Sequence, residues 1–113
     1  MLNPSPAVDP APIFAALGDR TRLSLLSKLG DGQARSIAAL STDTALTRQA
    51  ITKHLHVLEG AGLVASLRVG RESRFAARRE TIDDARAYLD GVSRQWDDAL
   101  GRLRAFVERD ETT

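Results

Sequence analysis

The chain has 113 residues, 42% hydrophobic and 27% charged, with sixteen basic and fifteen acidic side chains and no cysteine. That length holds one domain with one core, and the composition is ordinary for a globular protein. The missing cysteines exclude disulfides, thiolate metal sites, thiol switches and a cysteine nucleophile, and no apolar run approaches the roughly 20 residues of a membrane span.

Met1 to Pro12 holds all four prolines, Pro4, Pro6, Pro10 and Pro12. They fix φ and remove donors, so residues 1–12 read as a flexible tail without regular helix. The same stretch lacks a basic segment followed by an apolar one, so no secretory signal is expected and the protein is expected to be cytoplasmic. Ile13 to Leu17 reads as a short helix ending at Gly18, and Asp19 suits the N-cap of the next helix, whose unpaired amides its carboxylate can accept from. Arg20 to Leu29 follows, with Leu23, Leu26 and Leu29 expected on the inward face and Gly30 as terminator. Asp31-Gly32 signals a turn. Ser36 to Ser41 reads as a short helix with Ile37 and Leu40 inward, and Thr42 to Ala45 as a polar connection.

Thr47 caps a helix from Arg48 to about Gly60, in which Ile51, Leu55 and Leu58 recur as a buried stripe. Gly60-Ala61-Gly62 ends it. Leu63 to Val69, a turn over Gly70 to Ser73, and Arg74 to Arg78 with Phe75 inward read as a β-hairpin. The last helix carries Ile82, Ala85, Leu89, Val92, Trp96, Ala99, Leu103 and Phe106 at steps of three and four. That is a heptad seam on a helix about 39 Å long at 1.5 Å per residue. Such a helix exceeds what a small core needs, so part of the seam is expected to face a second copy of the chain. Residues 109–113 are expected to form a flexible C-terminal tail after an ordered domain over 13–108.

The charge is unevenly spread. Residues 1–43 balance to zero, residues 44–79 carry a net +5, and residues 80–113 carry a net −4. A basic middle third is the footprint expected of a nucleic-acid contact. It coincides with the order helix, short helix, turn, helix, hairpin, which is a helix-turn-helix with a wing. The fold class expected is therefore mainly α with a small β-hairpin. A helix fits the major groove and its exposed side chains can read base edges, while a basic hairpin beside it can reach phosphates or the minor groove. At about 100° per residue, Gln49, Thr52, Lys53 and His56 fall opposite Ile51, with Arg48 on the flank. That face has no acid until Glu59. His54 and His56 are two apart, point about 200° from each other, and cannot chelate one ion from a helix. His54 flanks the core stripe and reads as packed or phosphate-contacting. No nucleophile-base-acid arrangement and no Gly-rich phosphate loop stand out, so an enzyme is not expected.

The stretches "FAALGDRTRLSLLSKL", "TRQAITKHLHVLEGAGLV" and "RVGRESRFAA" together resemble the ArsR/SmtB family of winged-helix repressors. The likeness covers roughly residues 13–108, and "ITKHLHVLEGAGLV" is its most specific part. It implies a homodimer built on the first and last helices, with two recognition helices entering successive major grooves of a near-palindrome. Carried over by position, Thr47, Arg48, Gln49, Thr52, Lys53 and His54 lie on the DNA-contacting helix. Arg71 lies at the wing tip, flanked by Arg68 and Arg74. The chain departs from the family's metal sensors. "RSIAAL" has no cysteine before the recognition helix, and the last helix has Asp83, Asp84, Asp90, Asp97 and Asp98 but no histidine. Neither familiar metal site is therefore expected, and no cofactor. The partners expected are double-stranded DNA and a second copy of the chain, with no membrane and an effector that the sequence does not name. The competing expectation is a winged-helix interaction module that dimerises without binding DNA.

Overall fold

The computed structural model describes the backbone of residues 9–111 and the side chains of 9–109. Helix α1 spans Ala11–Leu17, α2 Arg20–Lys28, β1 Arg35–Ser36, α3 Ile37–Leu40, α4 Arg48–Gly60, β2 Val64–Val69, β3 Glu72–Ala77 and α5 Arg79–Glu111. The strands form one antiparallel sheet in the order β1-β3-β2. This is a winged helix-turn-helix fold with a long C-terminal helix.

Local chemistry explains most boundaries. The Asp19 carboxylate accepts from Arg22 N–H at 3.0 Å, and the Thr47 hydroxyl accepts from Ala50 N–H at 3.1 Å, so both helices start at a side-chain cap. Helix α4 stops in a Schellman motif. Leu63 N–H reaches the Leu58 carbonyl and Gly62 N–H reaches the Glu59 carbonyl, each at 2.9 Å. Gly62 has φ 78°, a conformation that favours glycine. Leu58 and Leu63, which accompany the motif, are both fully buried.

The core joins Ile13 and Ala16 of α1, Leu25 and Leu29, Leu40, the α4 stripe of Ile51, Leu55 and Leu58, and Leu63, Val64, Phe75 and Ala85. Burying each large side chain stabilises the fold by about 1.5–3 kcal/mol. The α4 stripe, Leu40 and Phe75 are buried where the sequence places them.

Four expectations are corrected. The N-terminal tail does not extend to Pro12: α1 begins at Ala11 with Pro12 in its first turn. Proline is tolerated there because the first-turn N–H groups have no intrahelical partner to lose. Residues 1–8 of that expected tail lie outside the described residues. In α2 Leu25 is buried and Leu26 packs half-buried against the core, with Leu29 buried just after the helix, whereas Leu23 is 50% exposed. The wing turn has two residues, Gly70 and Arg71, rather than four, because Val69 pairs with Glu72. Glycine with φ 64° at its first position suits a tight hairpin. Helix α5 continues to Glu111, past the tail expected from 109, and residues 112–113 lie outside the described set. The strand β1, which pairs Arg35 with Phe75 and Ser36 with Arg74, was not expected at all.

Helix α5 dominates the shape. Its 33 residues span about 50 Å. The radius of gyration is 20.1 Å, against about 13 Å for a compact domain of this length. Ile82 and Ala85 pack into the core, and Tyr88 meets Phe14 of α1 with ring centroids 5.8 Å apart. Beyond that point the helix leaves the rest of the protomer.

Candidate nucleic-acid interface

The site is built on α3, α4 and the wing. Helix α3 is one turn, capped by the Ser36 hydroxyl, which accepts from Ala39 N–H at 3.1 Å. Strand β1 ties its start to β3, and Lys28 donates to the Leu40 carbonyl at 3.0 Å and pairs with Asp43 at 2.5 Å. These anchors hold the turn before α4. Helix α4 buries its stripe and presents the other side. Arg48, Gln49, Thr52, Lys53 and His56, with Ile37, line an open concavity of about 550 Å³.

On that face Gln49, Lys53 and His56 are exposed. Thr52 donates its hydroxyl to the Arg48 carbonyl at 2.7 Å, leaving its lone pairs and methyl group outward. Thr47 is committed to its cap, so its hydroxyl is already an acceptor within the chain. The acid that ends the face is drawn aside: Glu59 accepts from Ser66 of β2 at 2.8 Å. The wing tip carries exposed Arg71, and Arg74 is held by Glu72 at 2.8 Å. Arg78 pairs with Glu80 and Arg79 with Asp83. Among the described residues, Arg48, Lys53, Arg68 and Arg71 form no ion pair. The basic third of the sequence thus resolves into four uncompensated cations on α4 and the wing.

The structure brings Arg48, Gln49, Thr52, Lys53 and His56 together and sets Arg71 apart at the end of the hairpin. It turns His54 the other way. The His54 ring faces α2, with Nδ1 3.3 Å from Arg22 and 3.8 Å from Asp19. The Arg22 backbone N–H holds the Asp19 carboxyl below its ordinary range, opposed by partial desolvation and assisted by the Arg22 guanidinium and, in its protonated form, by His54. Arg22 escaped the sequence reading. The available signal was its place three residues after an N-cap, on the same turn as the buried Leu25. The second group of expected residues also divides. Ala85 is buried in the protomer's own core and Ile82 packs half-buried against it, so neither lies on the exposed part of the stripe. Leu89, Trp96, Leu103 and Phe106 are exposed, and Tyr88, Leu100 and Val107 widen the same stripe. Val92 and Ala99 are half-buried by their own neighbours on the helix. Among the described residues, no three His, Cys, Asp or Glu side chains are placed to hold a metal ion, and no helix is long and apolar enough to cross a membrane.

A short helix, a turn, an outward-facing second helix and a basic wing define a DNA-binding winged helix-turn-helix protein. A helix-turn-helix domain family matches residues 17–66. The chain is 46% identical over 65 residues to an uncharacterized HTH-type transcriptional regulator, YuzN, of Bacillus subtilis, covering 52% of this chain and 71% of that protein. Its structure is similar to that of an ArsR-like transcriptional regulator from Rhodococcus sp. RHA1, with a TM-score of 0.76 and 38% identity, covering 85% of this chain and 90% of the other. A homodimeric winged helix-turn-helix DNA-binding domain from Mycobacterium bovis, a possible ArsR-family regulator, aligns with a TM-score of 0.58 and 26% identity over 80% of each chain. The protein belongs to the ArsR family of winged helix-turn-helix transcriptional regulators, a non-enzymatic class.

Proposed function

We propose that the protein is a sequence-specific repressor that binds a near-palindromic operator as a homodimer in the cytoplasm. The observation that carries this reading is the exposed face of α4, which holds Arg48, Gln49, Thr52, Lys53 and His56 and no free acid. Gln49 can bond adenine bidentately and Lys53 can donate to guanine in the major groove. Arg48 and Arg71 supply phosphate contacts, Arg71 from the wing, and Arg74 supports the wing from within. Thr47 acts as the cap that aims α4, and His54 acts from behind the helix rather than at the bases.

The exposed stripe of α5 supplies the second half. Leu89, Trp96, Leu103 and Phe106, with half-buried Val92 and Ala99, face a second α5, and α1 flanks the same side through Phe14 and Tyr88. Two-fold symmetry sets the recognition helices about 34 Å apart, one turn of DNA. The homodimeric Mycobacterium bovis relative supports this arrangement. Residues 13–108 act as one DNA-binding and dimerising unit. No metal or cofactor enters the proposal, because "RSIAAL" offers no thiolate and α5 no histidine. The test is a binding selection from random DNA at stated salt, followed by a salt titration. One recovered sequence family with dyad symmetry, and affinity falling steeply with salt, is expected. Failure to enrich any sequence would refute the proposal and favour a dimerising interaction module.

A further inference from the structure

His54 and Arg22 meet where four helices come closest to communicating. Arg22 Nε donates to the Ala16 carbonyl at 2.6 Å and Nη2 reaches the Ala15 carbonyl at 3.5 Å. Those carbonyls lie in the last turn of α1, where intrahelical partners run out. The third arm of the same guanidinium, Nη1, lies 3.3 Å from His54 Nδ1 on α4. A guanidinium has donors and no acceptor, so this contact requires a lone pair on Nδ1 and the proton on Nε2. Helix α1 in turn packs on α5 through Phe14 and Tyr88. One side chain therefore joins the C-terminal end of α1, beside the α5 stripe, to the back of the recognition helix.

We propose that Arg22 and His54 are positioning residues that pin the recognition helix to the end of α1, and that protonating His54 releases the pin. The pin forms only with neutral His54. Protonation puts an N–H on Nδ1 against a permanent cation, and Asp19 Oδ2, 3.8 Å away, becomes its partner instead. Among the described residues, the charged groups placed against the His54 ring by a direct contact are Arg22 and Asp19. Helix α1 carries no ionisable side chain, and the α4 positions three and four residues from His54 are Ala50, Ile51, Val57 and Leu58. Asp19 caps α2, so the exchange shifts His54 from the guanidinium that binds α1 to the residue that starts α2. Selectivity for DNA then weakens in acid.

This inference rests on α4 being the DNA-reading helix, so one arm of the test is independent of DNA. Nitrogen NMR of the imidazole ring in the full-length protein at neutral pH is expected to show the Nε2–H tautomer for His54. The other arm uses a duplex that the wild-type protein recovers from random DNA, and reads the ratio of its affinity to that of random duplex at fixed salt. His54→Asn keeps an acceptor near the Nδ1 position, whereas His54→Leu removes it. The ratio is expected to fall about tenfold in His54→Leu, the scale of one charge-assisted hydrogen bond, and to stay within about threefold in His54→Asn. Between about pH 8 and about pH 5.5 the wild-type ratio is expected to fall more than that of His54→Asn. His56 is present in both proteins, so the difference between the two profiles belongs to His54. An Nδ1–H tautomer, a full ratio in His54→Leu, or identical pH profiles would each overturn the proposal. If the wild-type protein recovers no duplex, the DNA reading itself fails, and the ring tautomer still decides whether the pin exists.

Discussion

Trp96→Ala combined with Leu103→Ala is expected to convert a dimer into a folded monomer. Trp96 is 64% exposed and Leu103 58% exposed on the protomer, so neither holds the winged-helix core together. Full burial of a large apolar side chain is worth about 1.5–3 kcal/mol, and somewhat more than half of that is still to be gained at these positions, about 1–2 kcal/mol each. Two-fold symmetry doubles the loss. Four truncated side chains remove about 4–8 kcal/mol from the dimer. At 1.4 kcal/mol per tenfold, association weakens by about a thousandfold or more. Sedimentation velocity across the micromolar range reads this directly, and far-UV circular dichroism checks that the protomer stays helical. Operator affinity should fall with the dimer, because one recognition helix then binds without its partner. A wild-type monomer throughout that range would refute the dimer. A double variant that remains dimeric would refute the α5 stripe as its interface.

Three further outcomes follow from the site. Gln49→Ala should lose about 1–3 kcal/mol of discrimination at a single base position, read by competition between operator variants; an unchanged base preference would remove Gln49 from the reading face. Arg71→Ala should weaken all duplexes alike and lower the slope of log affinity against log salt by about one, and an unaltered slope would exclude a phosphate contact at the wing tip. The Asp19 carboxyl is held below its ordinary range by the Arg22 N–H and the neighbouring charges. Its contribution to stability is therefore present above the unfolded carboxyl value and lost as pH falls through the lower folded value. Asp19→Ala should lower Tm at neutral pH, with a gap to wild type that closes in strong acid. A gap that persists unchanged in acid would show that the charge is not involved.

Several features of this protein could be read from neighbouring residues alone, because their physics closes within a few positions. The cap at Thr47, the stripe of Ile51, Leu55 and Leu58, and the stop at Gly62 define α4 without reference to any other element. Its outward face follows from the same periodicity, which is why Arg48, Gln49, Thr52, Lys53 and His56 could be grouped before any fold was known. The sequence also placed Phe75 inward and a hairpin tip at Gly70-Arg71, although it made the turn too long. What needed the fold was every choice among equivalent faces and partners. The leucines of α2 form two overlapping stripes, and only the positions of α1 and α4 decide that Leu25 is buried and Leu23 exposed. A two-residue strand such as β1 has no period to detect, and it exists because Phe75 and Arg74 offer it a ladder. The heptad pattern of α5 continues unbroken from Ile82 to Phe106, but the core ends near Ala85, so only the fold separates core positions from exposed ones. His54 was ambiguous for the same reason. A residue on the flank of a helix takes its role from whatever packs beside it, and here that is a guanidinium thirty-two residues earlier in the chain.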